Sequence, residues 1–406
     1  MPENQHEIPG AVIDWLLEGD PAIRWQVQRD LLGEAKAVWS TERALVATEG
    51  WGAALLARQD DGGLWAGKLY SPKWTSTTYT LYLLRLLGLP AGHPQALAGC
   101  AQLLEDGLYL GREFRFSRGQ KQRDLGVTAL ALAICRYFRA EHPALGATAA
   151  FLLTQQRPDG CWLPDERPES APYAMETTRL VVDALAECVR HTPLSPGNAL
   201  LEDALARGWE YLLARRLGLG GDQQAKPGWT VFAFPPYWFY DVLTALDLLR
   251  GRAGRPDSGA APAIDLVRRR RGADNRWKPG KPHAGKTFIE MDPPGEPSRW
   301  NTLRALRVLR WWEGDVWTSE RLDVGTSGRR NVWTSERLDV GTSERQGARG
   351  ACPARGQRAS GRRVPTGRGV GPWPGHGLCG GPKAHLRDHG ARGACPAMGR
   401  SPTAQR

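Results

Sequence analysis

Residues 55–89 read LLARQDDGGLWAGKLYSPKWTSTTYTLYLLRLLGL. An apolar helix end runs into a Gly-rich turn closed by Trp65, then a short extended excursion, then a second apolar helix. The same order recurs as LLTQQRPDGCWLPDERPESAPYAMETTRLVVDALAE at 152–187 and LVRRRRGADNRWKPGKPHAGKTFIEMDPPGEPSRWNTLRALRVL at 266–309. Weaker copies occupy 103–138 and 212–249. The closing aromatics, Trp65, Phe114, Trp162, Trp229 and Trp277, are separated by 49, 48, 67 and 48 residues. A period near 48 that holds two helical patterns means stacked helical hairpins sharing a core, with one longer connection placed at 191–198.

Each part of the unit has a physical reason. Helices commonly end on a left-handed residue, which Gly adopts cheaply, and Gly62, Gly63, Gly160 and Gly272 stand where the apolar periodicity stops. Asp61 and Asp159 precede them and fold back onto turn backbone. Trp65, Trp162 and Trp277 then offer flat surfaces that bridge neighbouring helix ends. The helix after each turn is apolar nearly all round, as in GVTALALAIC at 126–135, whereas the helix before it is amphipathic, as in ALLEDALARGWEYLLARR at 199–216. The chain is therefore expected to be all-α, with an inner and an outer layer of helices. Periodicity alone does not separate a closed arrangement from a straight solenoid.

The flanks are read the same way. Residues 1–9 carry no pattern and are expected to be disordered. GAVIDWLLEG at 10–19 is a short helix, and Asp20 before Pro21 starts the next one. ERALVATEGWGAALLARQ at 42–59 reads as a third helix. After Trp312 the composition changes. VWTSERLDVGTS at 316–327 repeats at 332–343, GARGACPA at 347–354 repeats at 390–397, and the remainder is mostly Gly, Arg, Pro and Ala. Such a tail buries too little apolar surface to order itself. The expected division is 1–9, a helical domain at 10–315, and a basic disordered tail at 316–406.

Net charge is +11, but residues 316–406 hold 16 Lys or Arg against 6 Asp or Glu, so the helical part is nearly neutral and no nucleic-acid face is expected on it. Apolar runs reach about ten residues, too short to span a bilayer, so no transmembrane segment is expected. MPENQHEIPG lacks a signal-peptide pattern, and Cys100, Cys135, Cys161 and Cys188 are scattered as reduced thiols would be. A cytoplasmic protein is the expectation.

The turns QDDGGLW and QRPDGCW, each followed by an apolar helix at this spacing, resemble the repeats of the terpenoid cyclase and protein prenyltransferase superfamily, which includes the squalene cyclases. The likeness covers residues 10–312. It implies an α/α toroid of about six helical hairpins with inner and outer rings, and a central cavity for an isoprenoid or other apolar small molecule. Some sugar-processing enzymes use the same fold, so the fold leaves the reaction open.

In such a fold the excursions between turn and inner helix gather over the mouth of the cavity. Candidate acids there are Glu176, Asp241 and Asp165; the first two stand at inner-helix starts, where they serve equally well as helix-dipole partners. The squalene-cyclase acid motif DxDD is absent, so the acid is unassigned. Candidate substrate-binding aromatics are Trp74, Tyr79, Tyr82, Phe234, Tyr237, Trp238, Tyr240 and Trp300, with packing between helices as the competing role. Asp159 and Cys161, with a distant His283, superficially match a prenyltransferase zinc set, but the first two belong to the turn motif and no metal is expected. No Walker loop, nucleotide fingerprint, HExxH or GxSxG occurs, and no cofactor is implied. Two other functions stay open: a non-catalytic scaffold whose mouth loops contact another protein, and a carbohydrate-active toroid with carboxylates about 5–10 Å apart.

Overall fold

The computed structural model describes residues 8–116, 123–163, 171–191, 196–220, 226–252, 256–293 and 295–314. The expected tail at 316–406, most of the N-terminal 1–9 stretch and Asp165 lie outside the described residues. No helix among them is long and apolar enough to cross a membrane.

Thirteen α-helices fall into six consecutive pairs and one extra helix. The pairs are α1 (Gly10–Leu17) with α2 (Pro21–Val27), α4 (Gly50–Leu56) with α5 (Thr77–Leu87), and α6 (Pro94–Asp106) with α7 (Leu125–Tyr137). They continue with α8 (Ala144–Thr154) and α9 (Ala171–His191), α10 (Pro196–Ala214) and α11 (Val242–Arg250), and α12 (Ala261–Arg269) and α13 (Arg299–Trp312). The extra helix, α3 (Lys36–Ala44), packs on α2. One two-stranded hairpin, β1 (Leu108–Tyr109) and β2 (Glu113–Phe114), pairs Leu108 with Phe114 and precedes α7. The described residues are mostly helical, as the periodicity requires.

The second helix of each later pair is the buried one. Thr77 to Leu84 of α5, Thr128 to Cys135 of α7, and Trp300 to Leu309 of α13 are buried without interruption. These helices neighbour one another: α5 packs on α7, α7 on α9, α11 on α13, and α13 on α2. From α2 the indole of Trp25 donates to Leu87 O of α5 at 2.9 Å, so the last helix and the first pair join the same series. Gly88 ends α5 at φ +90°, where a Cβ would fall 2.3 Å from the Trp25 ring.

The turns are built alike. Nε1 of Trp65, Trp162 and Trp277 donates to the carbonyl ten residues earlier, Leu55, Leu152 and Val267, at 2.7, 2.7 and 2.8 Å. The backbone N–H of each Trp donates to a threonine hydroxyl in the next helix, Thr77, Thr178 or Thr302, each at 3.0 Å. Gln59 and Gln156 donate to the turn carbonyls of Gly63 and Gly160 and also to the following outer helix, at Gln95 O and Ala204 O. Gly99 of α6 and Gly208 of α10 leave room for the rings, since a Cβ on either would sit 2.9 Å from the Trp65 or Trp162 ring. Each tryptophan thus ties its own pair to the next one.

Several expectations are corrected. Gly272 is not the left-handed residue of the last turn; Asn275, at φ +63°, occupies the place of Gly63 and Gly160, two residues before the Trp. Gly62 likewise is not in the left-handed region, which Gly63 occupies at φ +80°. Phe114 keeps only the backbone bond, to Thr128 at 3.2 Å. Trp229 keeps neither: it lies in a short 3-10 turn, packs on Tyr240 at 5.1 Å, and its indole N–H has no partner among the described residues. The helix expected over 42–59 is broken at Gly50 (φ +59°), where any Cβ would strike the Asp20 carboxylate. Asp20 does cap α2 as expected, through Ala22 N–H at 2.8 Å, and also accepts from Trp51 N–H at 2.7 Å.

Candidate functional site

Three excursions meet in one aromatic cluster. Trp74 stacks on Tyr237 at 4.2 Å and meets Tyr79 edge-on at 4.9 Å. Its indole donates to Ala284 O at 2.8 Å, tying the first excursion to the last. Trp238 stacks on Phe239 at 3.9 Å, and Phe239 on His283 at 4.0 Å. Trp74 and Tyr237 hold left-handed backbone, φ +74° and +48°, a conformation that bulky residues adopt only when their surroundings enforce it. Burial pushes the Tyr79 and Tyr237 phenols well above their ordinary range and lowers the His283 imidazole. Of the eight predicted aromatics, Trp74, Tyr79 and Tyr237 thus pack on one another, and Trp238 joins them through Phe239. Tyr240 is an anchor instead, donating to Leu217 O at 2.9 Å.

The other three, Tyr82, Phe234 and Trp300, line a cavity of about 180 Å³ between α5, α9, α11 and α13. Phe234 and Trp300 stack at 4.0 Å and 11°. Leu86, Pro236 and Leu248 complete the apolar part of the wall. The rest of the wall is polar, where the sequence suggested an apolar pocket: beside Thr244, the charged residues Arg85, Arg179, Asp183, Arg190, Asp247, Arg304 and Arg307 all border the cavity.

These charges are mostly spent on one another. Arg85 of α5 grips Asp183 of α9 with both Nη atoms, at 2.7 and 2.6 Å, and reaches Glu187 at 2.8 Å. Arg307 of α13 donates to Asp247 of α11, and to Gln26 and Asp30 from the start of the chain at 2.6 and 3.1 Å. Arg304 donates to Thr244 at 2.6 Å and lies 3.7–3.8 Å from Asp247 and Asp241. Burial raises Asp247, but Arg307 and Arg250 outweigh it and hold the carboxyl below the usual range. The same contest, won by Arg29 and Arg250 for Asp30 and by Arg85 for Glu187, leaves both well below ordinary carboxylates.

The predicted acids fare differently. Asp241 is the N-cap of α11, accepting from Thr244 N–H and Oγ1 at 2.7 Å each; burial raises its pKa against the pull of Arg304. Glu176 faces Lys226 at 3.1 Å. Neither borders the cavity, and the two carboxylates that do, Asp183 and Asp247, are held by arginines. In the QRPDGCW turn, burial pushes the Cys161 thiol up to about 12, far from the thiolate a metal needs. Sequence reading passed over Arg85, Arg179, Arg304 and Arg307. Their signal was present: Arg179, Asp183 and Glu187 recur every fourth residue on one face of an otherwise buried helix, where a charge must find a partner.

No family model and no curated protein matches the sequence. Among solved structures the chain is similar to a protein from Actinoplanes at 19% identity, over 73% of this chain and 90% of that one, with a TM-score of 0.38.

Proposed function

We propose that the described helices form an α/α toroid of the squalene cyclase and prenyltransferase type, and that its central cavity binds a small ligand with an isoprenoid-like apolar portion. Support for the toroid comes from the neighbour series α2, α5, α7, α9 and α11, α13, α2, in which the last helix returns to the first pair. The observation that carries the ligand reading is the Phe234–Trp300 stack beside Tyr82, an aromatic surface left facing a cavity while the other mouth rings are packed away. Ring faces of this kind hold apolar chains and cationic carbon.

The volume, about 180 Å³, lies below the 300–1,000 Å³ common for larger ligands, so a short portion is enclosed and not a thirty-carbon chain. Binding is favoured over proton-initiated cyclisation, because every carboxylate on the wall already neutralises a guanidinium. A ten-carbon isoprenoid alcohol titrated into the full chain is expected to quench tryptophan fluorescence saturably, and Phe234→Ala to weaken it by about tenfold. No response to isoprenoid alcohols, together with native mass spectra free of any retained lipid, would remove the reading.

A further inference from the structure

The last turn departs from the other two in charge. Gln59 and Gln156 stand six residues before their tryptophans and reach the next outer helix, whereas Arg271 holds that place before Trp277. Leu64 and Cys161 immediately precede Trp65 and Trp162, whereas Arg276 precedes Trp277. A repeat that exchanges fastening residues for cations has a reason other than stacking. Residues 268–281 carry seven Lys or Arg and one Asp, a net +6, although residues 1–315 together carry +1, so the rest of that span is at −5. Arg268 pairs with Asp265 and Glu313, but among the described residues no carboxylate forms an ion pair with Arg269, Arg270, Arg271, Arg276, Lys278 or Lys281. The helix dipole accounts for Arg268 and Arg269 in the last turn of α12; it does not extend to Arg276, Lys278 and Lys281.

The same segment borders a groove of about 240 Å³, larger than the central cavity and sharing no lining residue with it. Arg270, Arg276 and Lys278 supply its charge, and Val231, Pro279 and Pro297 belong to its apolar lining. Asp274, the one carboxylate among the lining residues, is engaged by the turn, where it accepts from Arg276 N–H at 3.1 Å. The Arg276 guanidinium is held over the Trp15 ring of α1 at 4.1 Å. Gly280 N–H donates to Phe232 O at 2.6 Å, an approach that a Cβ, 2.7 Å from the same oxygen, would prevent. The groove is therefore built, not merely a row of solvated side chains. Its aromatic lining, Phe232 and Trp277, is 4% and 0% exposed, so no open ring is offered to a base, which weighs against a nucleic acid.

We infer that this groove docks an extended acidic segment of a partner protein, its carboxylates met by Arg270, Arg276 and Lys278 and its apolar side chains by Val231 and the two prolines. Guanidinium forks match carboxylates, and clusters of arginine are a recurring means of reading acidic motifs. Cations left without partners on an otherwise acidic body steer such a segment to this face. The inference does not rest on the central cavity being a ligand site.

The test titrates a short fluorescein-labelled peptide of alternating Glu and Leu into the full chain and follows fluorescence anisotropy. Its companions are the same peptide with Gln for Glu and a short labelled single strand of DNA. The Glu peptide is expected to bind saturably, more weakly as salt rises, and the Gln peptide not to bind. Arg270→Glu with Lys278→Glu should weaken binding by about tenfold or more, because attraction becomes repulsion. Arg270→Gln with Lys278→Gln, which introduces no new charge, should give a smaller loss in the same direction and keeps the test decisive if the reversal disturbs folding. Arg362→Gln with Arg363→Gln should leave the affinity unchanged, which separates the groove from the basic tail. No binding of the Glu peptide, equal binding of the Gln peptide, or equal affinity in the groove and tail variants would overturn the inference. DNA bound more tightly than the peptide and released by the groove variants would overturn it too, in favour of a nucleic-acid surface.

Discussion

The turn layer and the cavity wall both fasten one inner helix to the next, and they do so by opposite means. At the turns, Trp65, Trp162 and Trp277 repeat one set of bonds: indole to the carbonyl ten residues back, backbone N–H to a threonine in the next helix. At the wall nothing repeats. Arg85 joins α5 to α9, while Arg307 joins α13 to α11 and to the first pair. A repeated apolar device fits wherever a hairpin occurs, and therefore stacks pairs without saying which comes next. Charges that occur once, each with its own set of partners, set particular neighbours, among them the junction between the two ends of the described fold.

The largest expected effect is at the turns. Trp162 is fully buried between α8 and Gly208 of α10, and Trp162→Ala should cost about 3–5 kcal/mol in urea unfolding, little altered by added salt. Trp162→Phe should cost less, about 1–3 kcal/mol, because the phenyl keeps most of the packing and the main loss is the bond to Leu152 O. Trp229→Phe, with no indole bond to lose, should cost less again. Equal losses for the two Phe variants would show that the indole bond is not what the repeat keeps.

At the wall, Arg307→Met takes one guanidinium from Asp30, which keeps Arg29 and Arg250, and one from Asp247, which keeps Arg250 and Arg304, and should cost about 1.5–3 kcal/mol by thermal unfolding. Pairing it with Asp247→Leu should recover part of that loss, since removing both charges removes the desolvation cost as well. A double variant less stable than Arg307→Met would mean that packing, not charge, holds α13 to α11.

The pH dependence separates the layers further. Asp30, Asp247 and Glu187 have folded pKa values below their unfolded ones. Their contribution is therefore complete above the unfolded values, about 3.9 for Asp and 4.3 for Glu, and is lost as pH falls through the lower folded values. Asp241 is raised and acts in the opposite sense: it favours folding below its unfolded value, and that preference fades as pH rises through the folded one. Melting temperature should drop below about pH 4, and less steeply in the Arg307→Met, Asp247→Leu double variant. Identical slopes would remove the wall carboxylates as the cause.

What could be read beforehand follows the same division. QDDGGLW and QRPDGCW gave the turns, the pairs and the buried second helices, because each depends on neighbours within a few dozen residues. The partners of Arg85 and Arg307 lie 60 to 281 residues away, and no local pattern names them. The eight aromatics were found by density, which does not say that Trp74, Tyr79 and Tyr237 pack on one another while Phe234 and Trp300 border the cavity. Asp241 was legible as a helix start, and its bonds to Thr244 are those of a cap.

The smallest effects lie inside the turn itself, where three residues share one conformation. Gly63, Gly160 and Asn275 have φ of +80°, +89° and +63°. An alanine there meets left-handed strain of about 1–2 kcal/mol, to which the surroundings add unequally. At Gly160 the new Cβ would lie 2.4 Å from Arg207 O, a backbone atom that must shift; at Gly63 it would lie 3.3 Å from the Ala98 methyl, which needs only slight relaxation. Asn275 already carries a Cβ, so Asn275→Ala forfeits only the tolerance of Asn for this region, about 1 kcal/mol or less, and Asn275→Gly should be neutral or slightly stabilising. Thermal melts should therefore rank Gly160→Ala lowest, then Gly63→Ala, then Asn275→Ala. A loss at Asn275→Ala as large as that at Gly160→Ala would mean that the asparagine side chain, rather than its backbone angle, holds the last turn.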